Sequence, residues 1–409
     1  KTLLVGPAGC GKTHAVLEAF EKSLRSGCPL DPDTFFVVPS AEHTDRIVSL
    51  LVQRGIAGFF YKRVTTLSRL IHSSFPLPDI PVASNFVRAS IVRELLQENG
   101  WEYFERLKDC PGLIDLLLGT LTELKESCIA PGIFRSRMNK LKKFEPAFGP
   151  KYEALAALYE GYESKLEKRG FCDAQDTLKL LQRGTGAGLR ARSRFKALWL
   201  DGFFDFSNLQ MEYLKILCET TDEITVTLTM DGTDGREEAF EAVRSTKETL
   251  VSMGFKAEQF GSESKRTTDP ALLYLQRNLF SEKIKKKSPS AQGSILFIDA
   301  VGIEGEIGMI AREIHKLYAT GNYRYSDFAV LFRQIRNYSS VIAPIFSRYG
   351  IPVEIHERDR LKFSPWIGTV MTLLAIFRDG WKREDVLSFL KSGYVTRFGD
   401  FRRDDDWLS

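Results

Sequence analysis

Along residues 1–75, short continuous apolar runs alternate with stretches in which apolar positions recur every three or four residues. Leu3-Leu4-Val5, Thr34 to Pro39 (TFFVVP) and Lys62 to Thr66 read as strands. Between the first two, His14 to Leu24 sets Ala15, Val16, Leu17, Ala19, Phe20 and Leu24 on one helical face, and Gly27 suits the stop. Ala41 to Gln53 predicts a second helix ending at Gly55, and Leu67, Leu70 and Ile71 a short third. Strands that are apolar throughout, alternating with helices, are the pattern of a parallel α/β sheet covered on both faces.

The rhythm changes after the proline-rich loop Pro76 to Pro81. Helical spacing then dominates for roughly a hundred residues, through Val87 to Leu96, Gly112 to Lys125 and Tyr152 to Arg169. The sheet pattern resumes with Phe195 to Leu200 (FKALWL) and Glu223 to Met230 (EITVTLTM), separated by a helix over Asn208 to Glu219. Asp231 to Gly293 weakens into short helices and polar loop, including Lys283 to Lys287 (KIKKK), and its latter part reads as an exposed linker. A second alternation follows: strand Ile295 to Ala300, helix Glu304 to Tyr318, strand Asp327 to Phe332, helix Asn337 to Tyr349 and strand Ile351 to Ile355. Pro365 to Phe377 and Arg383 to Leu390 are helical. The expected order is therefore an α/β domain over 1–75 and 190–260, interrupted by a helical insertion over 76–189. A linker over 261–293, a second α/β domain over 294–380 and the start of a further helical region over 381–409 complete it.

Composition narrows this picture only a little. The 409 residues are 43% apolar with a net charge of +4, so bulk charge selects neither a nucleic acid nor an acidic partner. The six cysteines include no C-x-x-C pair, and the five histidines lie far apart, which predicts reduced thiols in a cytoplasmic protein and no protein-bound metal site. No apolar run approaches the length of a membrane span. The chain opens at Lys1 already inside the first predicted strand, as a trimmed N-terminus would.

The candidate chemistry sits at the end of that strand. In KTLLVGPAGCGKT, Gly6, Gly11, Lys12 and Thr13 stand at the G-x-x-x-x-G-K-[ST] spacing between a strand and a helix. Gly6, Gly9 and Gly11 let backbone N–H groups turn inward toward phosphate oxygens at a helix N-terminus. Lys12 would reach the outer phosphates and the Thr13 hydroxyl would bind Mg²⁺, so the stretch predicts ATP and Mg²⁺. The fourth strand ends in Asp201, where an acidic residue either helps hold that Mg²⁺ or caps the turn. Its neighbour is Gly202, where a catalytic base would be expected, unless Asp205 reaches the site by another route. Gly184 to Gly188 (GTGAG) lacks a following Lys-Ser/Thr and reads as a turn, and Arg137 to Lys143 (RMNKLKK) is either a solvated helix face or a DNA contact.

An α/β domain of this kind, broken by a helical insertion and followed by a second, resembles superfamily 1 helicases of the UvrD/Rep type. Local sequences are similar to AddB, the B-type component of bacterial AddAB helicase-nucleases, and its RexB relatives. The likeness lies in GPAGCGKT at Gly6 to Thr13, FFVVPSAEHTDRI at Phe35 to Ile47 and PGLIDLLLGTLTELKESCIAP at Pro111 to Pro131. It continues in YEGYESKLEKRGFCDAQDTL at Tyr159 to Leu178 and LWLDGFFDFSNLQ at Leu198 to Gln210. EGEIGMIAREIHKL at Glu304 to Leu317 and FAVLFRQIRNYSSVIAPIFSRYGIPVEI at Phe328 to Ile355 extend it over nearly the whole chain.

The resemblance implies two RecA-like domains, with ATP held by Gly6, Gly9, Gly11, Lys12 and Thr13, and DGF replacing the helicase DE box. Counting from Arg333, taken as marking the γ-phosphate region, the arginine-finger position of an active motor falls on Ser339. A motor without base or finger binds nucleotide but translocates weakly or not at all, since a finger alone is worth 10³ to 10⁵ in rate. By position in the family's single-strand groove, Ser40, His43, Thr65 and Thr66 are implied DNA contacts, although helix capping accounts for Ser40 equally well. The family pairs with an A-type helicase-nuclease subunit in double-strand-break repair and recombination, assists recognition of a hotspot sequence, and carries a C-terminal PD-(D/E)XK nuclease with an iron–sulfur cluster. Those cluster cysteines would lie beyond Ser409, which implies an N-terminal portion without nuclease activity of its own. Pro78-Asp79 with Glu123-Leu124-Lys125 only mimics the nuclease signature. The alternatives are an active superfamily 1 translocase and a scaffold that binds a protein partner alone.

Overall fold

The computed structural model describes residues 1–26, 33–56, 58, 62–75, 79–98, 101, 103–105, 107, 110–183, 195–231, 235–261, 264–283, 288–291, 293–356, 364–394, 397–398 and 401–402. GTGAG at 184–188 and most of the KIKKK run fall outside them. The chain divides into two compact units, Lys1–Ile295 and Leu296–Ser409.

The first unit is built on β1 (Thr2–Gly6), α1 (Lys12–Ser26), β2 (Thr34–Val38), α2 (Ala41–Gln53), β3 (Val64–Thr66) and α3 (Leu67–Ser74). The insertion holds α4 (Asn85–Glu98), α5 (Pro111–Glu126), α6 (Pro131–Phe144), α7 (Gly149–Lys168) and α8 (Thr177–Arg183). Then come β4 (Phe195–Leu200), α9 (Asn208–Thr220), β5 (Thr221–Thr229), α10 (Glu241–Ser252), β6 (Lys256–Gln259) and α11 (Pro270–Asn278). All six strands pair in parallel, in the order β3-β2-β4-β5-β1-β6.

Alternation along each strand divides the apolar residues between two faces. Phe35, Val37, Leu198 and Leu200 pack with Leu70 and Ile71 of α3 and Tyr213 and Leu217 of α9. Phe36, Val38, Ala197 and Trp199 pack on the other side with Val16, Leu17 and Phe20 of α1 and Leu51 of α2. Both faces are covered, which is why the strands read as unbroken apolar runs. The insertion has its own core, in which Ile91, Leu95, Leu117, Leu121 and Tyr162 are buried together.

Two expectations change. β6 was hidden because KAEQ is exposed at all four positions, and a polar edge strand shows no apolar rhythm. The segment after it is no free linker: Ala271 of α11 is buried, and the Gln276 side chain donates to the Ala8 carbonyl at 2.9 Å.

The second unit contains α12 (Gly302–Ala319), α13 (Ser339–Arg348), α14 (Pro365–Arg378) and α15 (Arg383–Lys391). Ile307, Ala311 and Ile314 of α12 pack with Ile342 and Phe346 of α13 and with Ile351. The strands expected at 295–300, 327–332 and 351–355 do not form: among the described residues these segments join no ladder. A strand exists only through hydrogen bonds to a neighbour, and apolar residues such as Phe297 and Leu331, 94% and 91% exposed, have no sheet to enter.

Candidate functional site

In an open parallel sheet, ligands bind beyond the carboxyl ends of the strands where the connections diverge. Here β1 leads through α1 to β2, three strands away on the β5 side, while β6, on the other side of β1, is reached from β5 through α10. The glycine-rich turn Gly6 to Gly11 lies at that divergence, and Lys12 opens α1.

The glycines have distinct reasons. A Cβ on Gly6 would overlap the carbonyl oxygen of Phe260, and one on Gly9 the hydroxyl of Ser264. Gly9 and Gly11 also have φ of +77° and +103°, in the region that glycine enters without cost. The loop is therefore built to lie close under the chain that leaves β6. Phe260 N–H donates to Val5 O at 2.7 Å and Lys265 N–H to Gly9 O at 2.9 Å.

Lys12 is 6% exposed and folds back, donating to the carbonyls of Gly6 and Pro7 at 2.8 Å each and to Cys10 Sγ at 3.6 Å. Burial pushes its pKa below the usual lysine value against the opposing pull of Cys10 and Asp201, and the nearby Arg266 pushes it the same way. Its hydrogen bonds go to two backbone carbonyls and a sulfur, and Asp201 attracts it from nearby.

The Thr13 hydroxyl donates to Asp201 Oδ1 at 3.2 Å, and Thr227 of β5 donates to the same oxygen at 2.6 Å. Asp201 sits at the end of β4, one strand beyond β5 and two from β1, so only the strand order brings it to Thr13. Gly202 has φ of +84°, a conformation a glutamate would adopt only with strain. Asp205 is exposed and makes no hydrogen bond or ion pair among the described residues.

Lys265 and Arg266 escaped the sequence reading. Arg266 lines Gly9 and Lys265 Nζ lies 3.8 Å from the Cβ position of Gly11, so three cations surround the turn. The only local signal was SKR following a polar stretch, and β1–β6 pairing alone places it.

The residues implied as DNA contacts separate. Ser40 caps α2, accepting from His43 N–H at 3.4 Å, and its hydroxyl lies 2.8 Å from His43 Nδ1. The His43 ring is 4.0 Å from the Cβ position of Gly202, so the loops after β2 and β4 share one rim. Thr66 is half-buried at the start of α3 without capping it, whereas Thr65 is only 4% exposed, turned away from solvent. Arg333 is exposed in the second unit, and Ser339 is the first residue of α13.

A second polar centre lies inside the insertion. Glu163, Asp173 and Asp176 come close enough to share a cation, and the Lys125 ammonium is already there, 2.7 Å from Asp173, 2.9 Å from Asp176 and paired with Glu163. Lys125 thus belongs to a buried ion network, while Pro78 of the signature-like Pro78-Asp79 lies outside the described residues. Among the described residues, no helix is long and apolar enough to cross a membrane.

Residues 3–276 match the family model described as ADDB, N-terminal. The B-type subunit of the ATP-dependent helicase/deoxyribonuclease of Pelotomaculum thermopropionicum is 29% identical over 413 residues, covering 96% of this chain and 35% of that protein. Proteins of the same description from Desulforudis audaxviator and Bacillus licheniformis are 26% and 27% identical, over 96% and 95% of this chain. The chain spans 35% of the length of each of these relatives. With its glycine-rich turn inside the matched region, the chain belongs to the AddB family and corresponds to the N-terminal part of that family's proteins.

Proposed function

We propose that this chain is the ATP-binding, single-strand DNA-contacting, helicase-like region of a B-type helicase/deoxyribonuclease subunit, with a weak or inactive motor. The relatives' shared description supports the subunit role. The carrying observation is the meeting of Lys12, the Thr13 hydroxyl and the Asp201 carboxylate at the carboxyl ends of the sheet, beside a left-handed Gly202 in place of a base.

In this reading the first unit is a RecA-like domain. The backbone N–H groups of the turn around Gly9 and Gly11 receive phosphate oxygens. Lys12 exchanges two neutral carbonyls for the outer phosphates, and Lys265 and Arg266 add positive charge on the opposite wall. Thr13 and Asp201 are the oxygen donors for Mg²⁺, a hard cation that takes one or two protein ligands alongside phosphate. Bound Mg²⁺–ATP would supply charge that ties the turn, α1 and the segment after β6 together. With no base beside Asp201, that tie stabilises one DNA-binding conformation more readily than it drives rapid turnover. Ser40, His43 and Thr66 on the rim are suited to phosphates of a single strand in a sequence-independent way. The motor of the assembly then belongs to an A-type partner.

The test is nucleotide binding and turnover together. A fluorescent ATP analogue with Mg²⁺ should bind the parent chain and bind Lys12→Ala at least about tenfold more weakly. ATP hydrolysis on single-stranded DNA should stay below about 1 s⁻¹. Turnover of many per second that Lys12→Ala abolishes would establish an active translocase instead. Absence of salt-dependent oligonucleotide binding would leave a protein-binding scaffold.

A further inference from the structure

Helix α6 turns one face inward and leaves the other unused. Phe134 is buried in the insertion core and Met138 packs against it. Beside that inward face run Ile133, Arg137, Lys140, Leu141 and Phe144, exposed and neighbouring one another at helical spacing of three and four. Phe144 is 83% exposed, and Phe148, just past the helix end, is 52% exposed.

Charge divides along the same line. Arg135 pairs with Glu160, and Lys142 pairs with Glu153 while its stem lies along Gly149. Arg137, Lys140 and Lys143 are exposed and have no hydrogen bond or ion pair among the described residues. Pro131 to Lys151 contains six Lys/Arg against one acid, Glu145, whose carboxylate accepts the Tyr152 hydroxyl. The net charge of the whole chain is only +4, so this hairpin is locally far more basic than the average of the chain.

We infer that the outer face of α6, ending in Phe144 and Phe148, is a second nucleic-acid contact that takes a single-stranded segment. The inference rests on the reading that this chain binds DNA and adds a site remote in sequence from the rim residues. Cations spaced along a helix track phosphates, and exposed rings offer stacking faces to unpaired bases. A duplex hides its base faces, so rings at the end of a basic helix face serve a single strand. An acidic protein surface would answer the charges and leave the rings unused.

The experiment measures anisotropy of a fluorescein-labelled thymidine homopolymer with the full chain across a salt series. Arg137→Gln/Lys140→Gln/Lys143→Gln should weaken binding at least about tenfold at low salt and flatten the log–log salt slope by about 2, at ~0.7 per lost phosphate contact. Phe144→Ala should weaken it about five- to a hundredfold with the salt slope unchanged. Affinity for a fluorescent ATP analogue and the thermal unfolding curve should match the parent in both variants. Variants that bind the oligonucleotide like the parent, while Ser40→Ala or Thr66→Ala weakens it, overturn this site and leave the rim intact. A parent chain that binds no oligonucleotide overturns both. Equal or tighter binding of a blunt duplex, or preferential capture by phosphatidylserine vesicles, overturns the single-strand assignment.

Discussion

Two buried lysines in this protein sit near carboxylates and do opposite work. Lys125 lies among Asp173, Asp176 and Glu163; burial alone would lower its pKa, but the three carboxylates outweigh it and raise it. Lys12 lies among backbone carbonyls and a thiol, and burial prevails, lowering its pKa. A buried charge ringed by carboxylates is a structural joint, whereas Lys12, bonded to two carbonyls and a sulfur, is the one to which the proposed function gives a ligand. The joint also spans elements, since Arg88 of α4 is 3.1 Å from Asp173, whose other partners lie on α5 and α7. The Thr13–Asp201 contact likewise joins distant elements, with one carboxylate oxygen accepting from both the Thr13 and the Thr227 hydroxyl.

The contrast is sharpest in a pair of matched substitutions. Lys125→Met removes the cation shared by the buried Asp173 and the partly buried Asp176 and Glu163 and should cost about 3–5 kcal/mol of stability, read from urea unfolding. Lys12→Met should leave the unfolding midpoint within about 0.5 kcal/mol of the parent yet abolish nucleotide binding. Reversed outcomes would break the distinction. Next in size, Asp201→Asn keeps an acceptor for Thr13 and Thr227 but removes the charge. It should weaken Mg²⁺-dependent nucleotide affinity about tenfold and leave affinity measured in a chelator unchanged. Gly202→Ala should cost about 1–2 kcal/mol through its left-handed backbone, because Pro39 and His43 leave ordinary room for the methyl group. Gly202→Glu should suffer the same strain and gain no ATPase, which a turnover assay checks.

The smallest effect is the pH dependence, in which the two lysines have opposite signs. Lys125, with its pKa raised, contributes stability present below about 10.5 and lost as pH climbs above it. Lys12, with its pKa lowered, is proton-poor in the fold relative to the unfolded chain, so its share of stability rises as pH approaches 10.5 from below. Unfolding curves between about pH 8 and 11 should steepen their alkaline loss in Lys12→Met and lose it in a Lys125 variant that still folds.

Much of the first unit was legible because buried parallel strands must be apolar on both faces. TFFVV alternates its residues between the two cores, and so does FKALWL from Ala197 to Leu200. The turn from Gly6 to Thr13 was legible for a related reason: backbone that must approach another chain closely excludes a Cβ. β6 and the strands expected after Ile295 failed in opposite directions. The edge strand is polar because one side of it faces water, so apolar rhythm passes over it. The later segments have the rhythm but no ladder among the described residues, and rhythm alone supplies no hydrogen-bond partner.

By itself the sequence determined the parallel sheet, the run of helices between β3 and β4, the glycine-rich turn and the carboxylate at the end of β4, because these depend on local spacing and on which residues tolerate burial or a left-handed backbone. Only the tertiary structure decided that Asp201 meets Thr13, that Lys265 and Arg266 flank the turn, that Lys125 is a joint and Lys12 is not, and that α6 leaves its basic, aromatic face open. Those facts depend on strand order and helix packing, which bring together residues as far apart as Thr13 and Asp201 and leave no mark in either local sequence.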